Sequence, residues 1–206
     1  ITTIIHKYYR RDDETLDEGK TARHLQRYLT WVQGSLGVVN LRGIKQHGPV
    51  PLPLSEVYVP LTAEVRPTRM AAGKPEELTM DRLLSVNRQL VVIGGPGSGK
   101  TTVLQHVAWA LAKALADDNP TFAEGKLGLR LSPGEVLPIP IFAPISLYAS
   151  HLQQHRGDRR KRTLTTFLSE YLAGCEGVPG LPDDFFARLL ETGRGLFLLL
   201  DGLDEV

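Results

Sequence analysis

The residues best suited to chemistry lie in one short run, Gly94-Gly95-Pro96-Gly97-Ser98-Gly99-Lys100-Thr101-Thr102. Gly94 to Thr101 fits the phosphate-loop pattern G-x-x-x-x-G-K-[ST]. Each part of that pattern has a physical use. Glycines let the backbone curl until successive N–H groups converge on one anion, and a side chain there would block the approach. A helix opening near Lys100 adds the positive end of its dipole. Lys100 brings a mobile positive charge to β- and γ-phosphates, and Thr101 offers a hydroxyl to Mg²⁺. Residues 94–102 are therefore expected to hold the phosphates of ATP or ADP.

A second signal closes the chain, Leu198-Leu199-Leu200-Asp201. A carboxylate at the end of an apolar strand is costly unless it has partners. Beside a phosphate loop, its expected partner is Mg²⁺, held together with Thr101 and often through water. Asp204 and Glu205 follow. Either one can orient or deprotonate an attacking water, which places them with Lys100 as candidate catalytic residues. The plainer alternative for the pair is a solvated turn.

These groups need elements to position them. Gln89-Leu90-Val91-Val92-Ile93 reads as a buried strand leading into the loop. A helix follows from Lys100 to about Ala116, with Val103, Val107, Leu111 and Leu115 as its buried stripe and Trp109 beside it. Asp117 to Gly134 reads as loop. Ile139, Ile141, Ala143 and Ile145 alternate like a strand, but Pro138, Pro140 and Pro144 remove ladder donors and confine it to an edge. Helices are expected over Thr163–Ala173 and Asp183–Thr192, and a last buried strand over Gly195–Leu200. Upstream, Ala22, Leu25, Leu29, Val32 and Leu36 give one apolar stripe on a helix from Asp12 to about Leu36, flanked by Tyr28 and Trp31. Between Asn40 and Ala72, five prolines predict an extended path. A short helix is expected over Thr79–Val86. Strands alternating with helices argue for an α/β fold with a mostly parallel sheet.

The whole chain sets wider bounds. Its 206 residues suit one domain with attachments, and 42% are apolar. A net charge of +1 predicts neither a polyanion binder nor an acidic tail. The run Arg156, Arg159, Arg160, Lys161 and Arg162 has no interleaved aromatics and reads as a solvated loop, which argues against nucleic acid as a partner. His106 reads as a surface residue, and no Cys/His group has metal-ligand spacing in sequence. The single cysteine, Cys175, excludes an intrachain disulfide and fits a reducing compartment. No apolar stretch is long enough for a membrane span. The chain reads as a piece of a longer protein, cut at both ends.

Leu198 to Glu205 resembles the extended acidic motif of NACHT domains. In that family a tiny residue follows the Mg²⁺-binding Asp, and a pair of acids follows one residue later; Gly202 and Asp204–Glu205 match. Leu41-Arg42-Gly43-Ile44 and Val57-Tyr58-Val59-Pro60-Leu61 resemble the lead-in of bacterial NACHT proteins. Leu137 to Phe142 resembles the family strand after the first helix, although Ile145-Ser146 stands where a basic residue is common. The resemblance covers roughly residues 22 to 206. It implies a P-loop NTPase three-layer sandwich, truncated here: a helical linker over 1–36, then part of the nucleotide-binding domain over 37–206. It also implies that Tyr58, Val59, Pro60 and Leu61 pass over the adenine.

The implied function is a cytoplasmic ATP-hydrolysing switch that holds ADP when idle and self-oligomerises when triggered. Such a module sits between an effector and a sensor in signalling or antiviral defence. Three alternatives remain open. One is a steadily hydrolysing ATPase of the AAA+ type, another an ADP-holding latch without turnover. The third is a small-molecule kinase, which the spacing of the acids disfavours. In the P-loop class that includes NACHT domains, Leu90–Ile93 and Leu196–Leu200 do not pair directly. The space between them is expected to be empty or filled from outside the chain, with the sheet edge at Ile139–Ile145.

Overall fold

The computed structural model describes residues 4–8, 18–41, 50–65, 76–79, 84, 89–132, 134–172, 178 and 180–202. Helix and strand are mixed. The strands are β1 (Ile4–Tyr8), β2 (Val38–Leu41), β3 (Val50–Pro53), β4 (Thr62–Val65), β5 (Glu76–Thr79), β6 (Ile139–Pro144) and β7 (Leu196–Asp201). The helices are α1 (Glu18–Leu36), α2 (Leu54–Val57), α3 (Lys100–Ala116), α4 (Pro120–Leu127), α5 (Ile145–Gln154), α6 (Leu164–Glu170) and α7 (Phe185–Glu191). The main sheet runs β1-β7-β6, and β2-β3 and β4-β5 form separate antiparallel pairs.

Helix α3 organises the core. Val103, Leu104, Val107, Ala108, Leu111 and Ala112 are all buried, so its apolar surface extends well beyond one stripe. It packs on β6 and β7 of the sheet, on α1 and on α4. A helix apolar around most of its circumference must be covered on most sides, and these elements do that. Leu25, Leu29, Val32 and Leu36 of α1 share the same core as α3 and α7. Two expectations for α1 change. Ala22 is exposed, and Tyr28, read as a flank, is 1% exposed and belongs to the buried stripe.

Tyr28 shows how the sheet ends at β6. Strand β6 runs parallel to β7, and Ile139 N–H donates to Gly195 O at 2.8 Å. Successive residues of a strand point their backbone groups to opposite sides, so Pro140 faces away from β7, where its missing N–H costs no ladder bond. Its carbonyl on that side accepts a hydrogen bond from the Tyr28 hydroxyl at 2.8 Å. The edge expected from the prolines is therefore present, and α1 caps its buried carbonyl. Burial also pushes the Tyr28 phenol well above its ordinary range.

Three further expectations are corrected. Gln89–Ile93 is not a buried ladder strand: only Val91 forms an isolated bridge, and Val91 and Ile93 are 46% and 75% exposed. Leu90 and Val92 pack on the core while Val91 and Ile93 face outward. Asp117–Gly134 is not all loop, because Pro120–Leu127 forms α4, opened by Pro at its first turn and closed by Gly128 in the left-handed region. The third concerns β7, whose two sides are taken by β6 and, antiparallel, by β1, with Ile4 opposite Leu200. Leu90–Ile93 forms no ladder with β7, as expected, but the neighbouring place is filled by the chain's own N-terminal segment. Of the helix expected over Thr79–Val86, Thr79 ends β5 and Leu84 is helical and buried; 80–83 and 85–86 lie outside the described residues. Residues 42–49 and Cys175 also lie outside them.

Replacing Tyr28 by Phe removes the donor to Pro140 O and keeps the ring. A lost bond to a buried carbonyl costs about 1–2 kcal/mol. Urea unfolding of Tyr28→Phe should show an unfolding free energy lower by that amount, read as a lower midpoint with an unchanged slope. An unchanged midpoint would show that the hydroxyl does not hold α1 to β6.

Candidate functional site

The site forms where the turn 94–99 enters α3. Gly97 and Gly99 have φ of 72° and 82°, left-handed values that L side chains rarely adopt. Gly99 is the N-cap of α3 and offers no side-chain cap. Within the turn Ser98 N–H donates to Gly95 O at 3.3 Å, and Val103 N–H donates to Gly99 O at 2.9 Å. The N–H groups of Gly97, Gly99, Lys100 and Thr101 have no acceptor among the described residues. They are the donors that a phosphate chain would take up at a helix N-terminus.

Lys100 folds back over this turn. Its ammonium donates to Gly94 O and Gly95 O, both at 2.8 Å, and to Ser98 Oγ at 3.2 Å. The charge therefore sits on the loop and not in the core. A Cβ on Gly94 would lie 2.7 Å from Ser98 Oγ, so the Ser98 hydroxyl would have to turn away from it.

The second half of the site comes from β7. Thr101 Oγ1 donates to Asp201 Oδ2 at 2.9 Å, joining groups separated by 100 positions in the chain. Register explains the meeting: Asp201 is the last residue of β7, and α3 packs on that strand with its first turn at the same end. A hydroxyl and a carboxylate in contact form a hard oxygen pair, the donor chemistry that Mg²⁺ takes. Gly202 follows with φ 74°, so a residue with a side chain would be strained there. Asp204 and Glu205 lie outside the described residues.

The segment expected at adenine is placed as follows. Tyr58 and Pro60 line a cavity of about 410 Å³ with Val103, His106 and Val107 of α3 and Lys126 of α4. Leu61 lies against the turn 94–99, 3.2 Å from where a Cβ on Gly99 would stand. Val59 is 72% exposed and does not line the cavity.

His106 is the residue that sequence reasoning misplaced. It is 4% exposed rather than on the surface. Its ring stacks on Tyr58, with centroids 3.7 Å apart and planes within 6°. Its Nδ1 is buried without a hydrogen-bond partner. Burial, with a smaller repulsion from Lys126, pushes its pKa down to about 4, so the ring is neutral near pH 7. The only local hint was its position between Val103 and Val107 on a helix with a wide apolar surface. Tyr58, remote in sequence, completes the cover.

Among the described residues, no helix is long and apolar enough to cross a membrane. Compared with family models, curated proteins and solved structures, the chain matches none.

Because His106 takes up a proton less readily when folded, the unfolded chain binds more protons between its ordinary value of 6.5 and about 4. Stability contributed by this group is complete above 6.5 and is lost as pH falls through that window. The unfolding free energy of the chain should therefore drop more steeply from pH 6.5 to 4 than that of His106→Gln. Parallel curves would show that His106 is not held neutral by the fold.

Proposed function

We propose that the chain is a P-loop ATPase switch module of the NACHT type, binding ATP or ADP with Mg²⁺. The observation that carries this reading is the Thr101–Asp201 hydrogen bond at 2.9 Å, which couples a phosphate-loop hydroxyl to a strand-end carboxylate. In this reading the three-layer P-loop sandwich is the parent architecture. The N–H groups of Gly97, Gly99, Lys100 and Thr101 receive phosphate oxygens, and Lys100 leaves its carbonyl partners to follow the terminal phosphates. Thr101 and Asp201 hold Mg²⁺, which when bound neutralises charge between the phosphates. Asp204 or Glu205 orients the attacking water. The base lies against Tyr58 in the cavity beside α3, whose volume suits a small planar group. Trigger-dependent self-association, effector and sensor partners and a cytoplasmic setting belong to the same proposal and rest on the motif resemblance alone.

Titration with fluorescent ADP and ATP, with and without Mg²⁺, tests the reading. Lys100→Ala should weaken binding about tenfold to a hundredfold, the cost of losing a charge-assisted contact, with the far-ultraviolet spectrum unchanged. Asp201→Asn should remove most of the gain that Mg²⁺ provides. No binding by the parent chain, or equal binding by Lys100→Ala, would overturn the proposal. Steady turnover without any trigger would instead favour an AAA+-type machine, and tight ADP without turnover a latch.

A further inference from the structure

On the other side of β6 from the loop 94–99 in sequence, two histidines and a glutamate converge. His151 lies in the last turn of α5, His155 caps its C-terminus, and Glu170 ends α6. His151 Nδ1 is 3.2 Å and His155 Nε2 3.8 Å from the same oxygen, Glu170 Oε2. One ligand atom from each of the three lies within 4.8 Å of the others.

His151 is the fixed member. It is 6% exposed and packed by Tyr148 and Phe167. Its Nε2 stands 2.7 Å from Lys161 O. A carbonyl only accepts, so Nε2 carries the proton. In the neutral ring Nδ1 then holds a lone pair, and it faces a carboxylate oxygen. Two acceptors at 3.2 Å repel unless a positive centre lies between them. A proton on Nδ1 is one such centre, and a metal ion is the other. A third donor joins the two acceptors: His155, one turn on and in ring contact with His151, brings Nε2 to 3.8 Å from the same oxygen. A backbone carbonyl gripping the far nitrogen of a histidine is also how metal-binding histidines are oriented.

We propose that His151 Nδ1, His155 Nε2 and Glu170 form a transition-metal site of the Zn²⁺ class, with a fourth position open to water. Two imidazoles and one carboxylate are a known zinc donor set, with ligand atoms about 3.4 Å apart around a tetrahedral ion. Glu170 is half-exposed and His155 24% exposed, so small side-chain rotations close the remaining gap. The bound ion ties α5 to α6 across the basic loop 156–162. Arg156, Arg159, Arg160, Lys161 and Arg162 are all exposed, and water screens their repulsion of a cation. The site shares no residue with the loop 94–101 or Asp201, so it stands or falls separately from nucleotide binding.

The test is Co²⁺ titration of the chelator-stripped 206-residue chain with excess Mg²⁺ present, followed by displacement with Zn²⁺. One equivalent should give ligand-field absorption of a four-coordinate ion and raise the melting temperature. His155→Ala and Glu170→Gln should each raise the dissociation constant about tenfold or more. Both replaced side chains are partly exposed, and Glu170→Gln keeps the shape, so folding is preserved and is checked by circular dichroism. Absence of the band, or variants that bind as well as the parent, would overturn the site. The first result, with a His151 ring that shows a Glu170-dependent proton uptake, would identify a plain His–Glu ion pair instead.

Discussion

The burial of α3 is the constraint on which the rest depends. A helix apolar around most of its surface cannot stand at the edge of a fold; it needs cover from a sheet, a helix and a flanking segment at once. Strands β6 and β7 cover one side, α1 another, and α4 and Tyr58 the remainder. The first turn of α3 thereby meets the end of β7. Thr101 then contacts Asp201, and the loop before it is left open at the surface. Apolar packing thus sets the position of the polar groups, and their hydrogen bond fixes the final alignment.

The edges of the sheet follow from backbone accounting. Every buried carbonyl needs a donor. On β6 the prolines remove donors from the outer side, and the Tyr28 hydroxyl satisfies the carbonyl of Pro140. On the other side of β7 the strand β1 supplies an antiparallel ladder. The apolar strand that carries Asp201 is thus paired along both sides, which holds that carboxylate in register with α3.

Polar groups are treated in two ways. At the loop 94–99 the N–H groups of Gly97 and Gly99 have no acceptor among the described residues, while the lysine is held by nearby carbonyls. Around α3 and α5 histidines are buried instead, His106 neutral and stacked, His151 gripped by a backbone carbonyl. A neutral imidazole buried beside a cavity costs less than a charged one, which is why His106 is tolerated there.

Much of this was legible in the sequence. The glycine spacing before Lys100 demanded a tight turn, because L side chains rarely adopt the φ values of Gly97 and Gly99, and the bounds of α3 and the main run of β7 followed from periodicity. The prolines of β6 announced an edge because a missing N–H cannot serve a central strand. Other features depended on contacts between distant segments. Whether Gln89–Ile93 is covered depends on what packs against its outer face, and local alternation carries no record of that. The stacking of Tyr58 on His106 and the meeting of Glu170 with His151 and His155 join residues from separate elements, so spacing alone could not reveal them. Asp201 could be read as a carboxylate in need of a partner. That the partner is Thr101 was decided by tertiary structure, since only the docking of α3 on β7 brings the two oxygens to 2.9 Å.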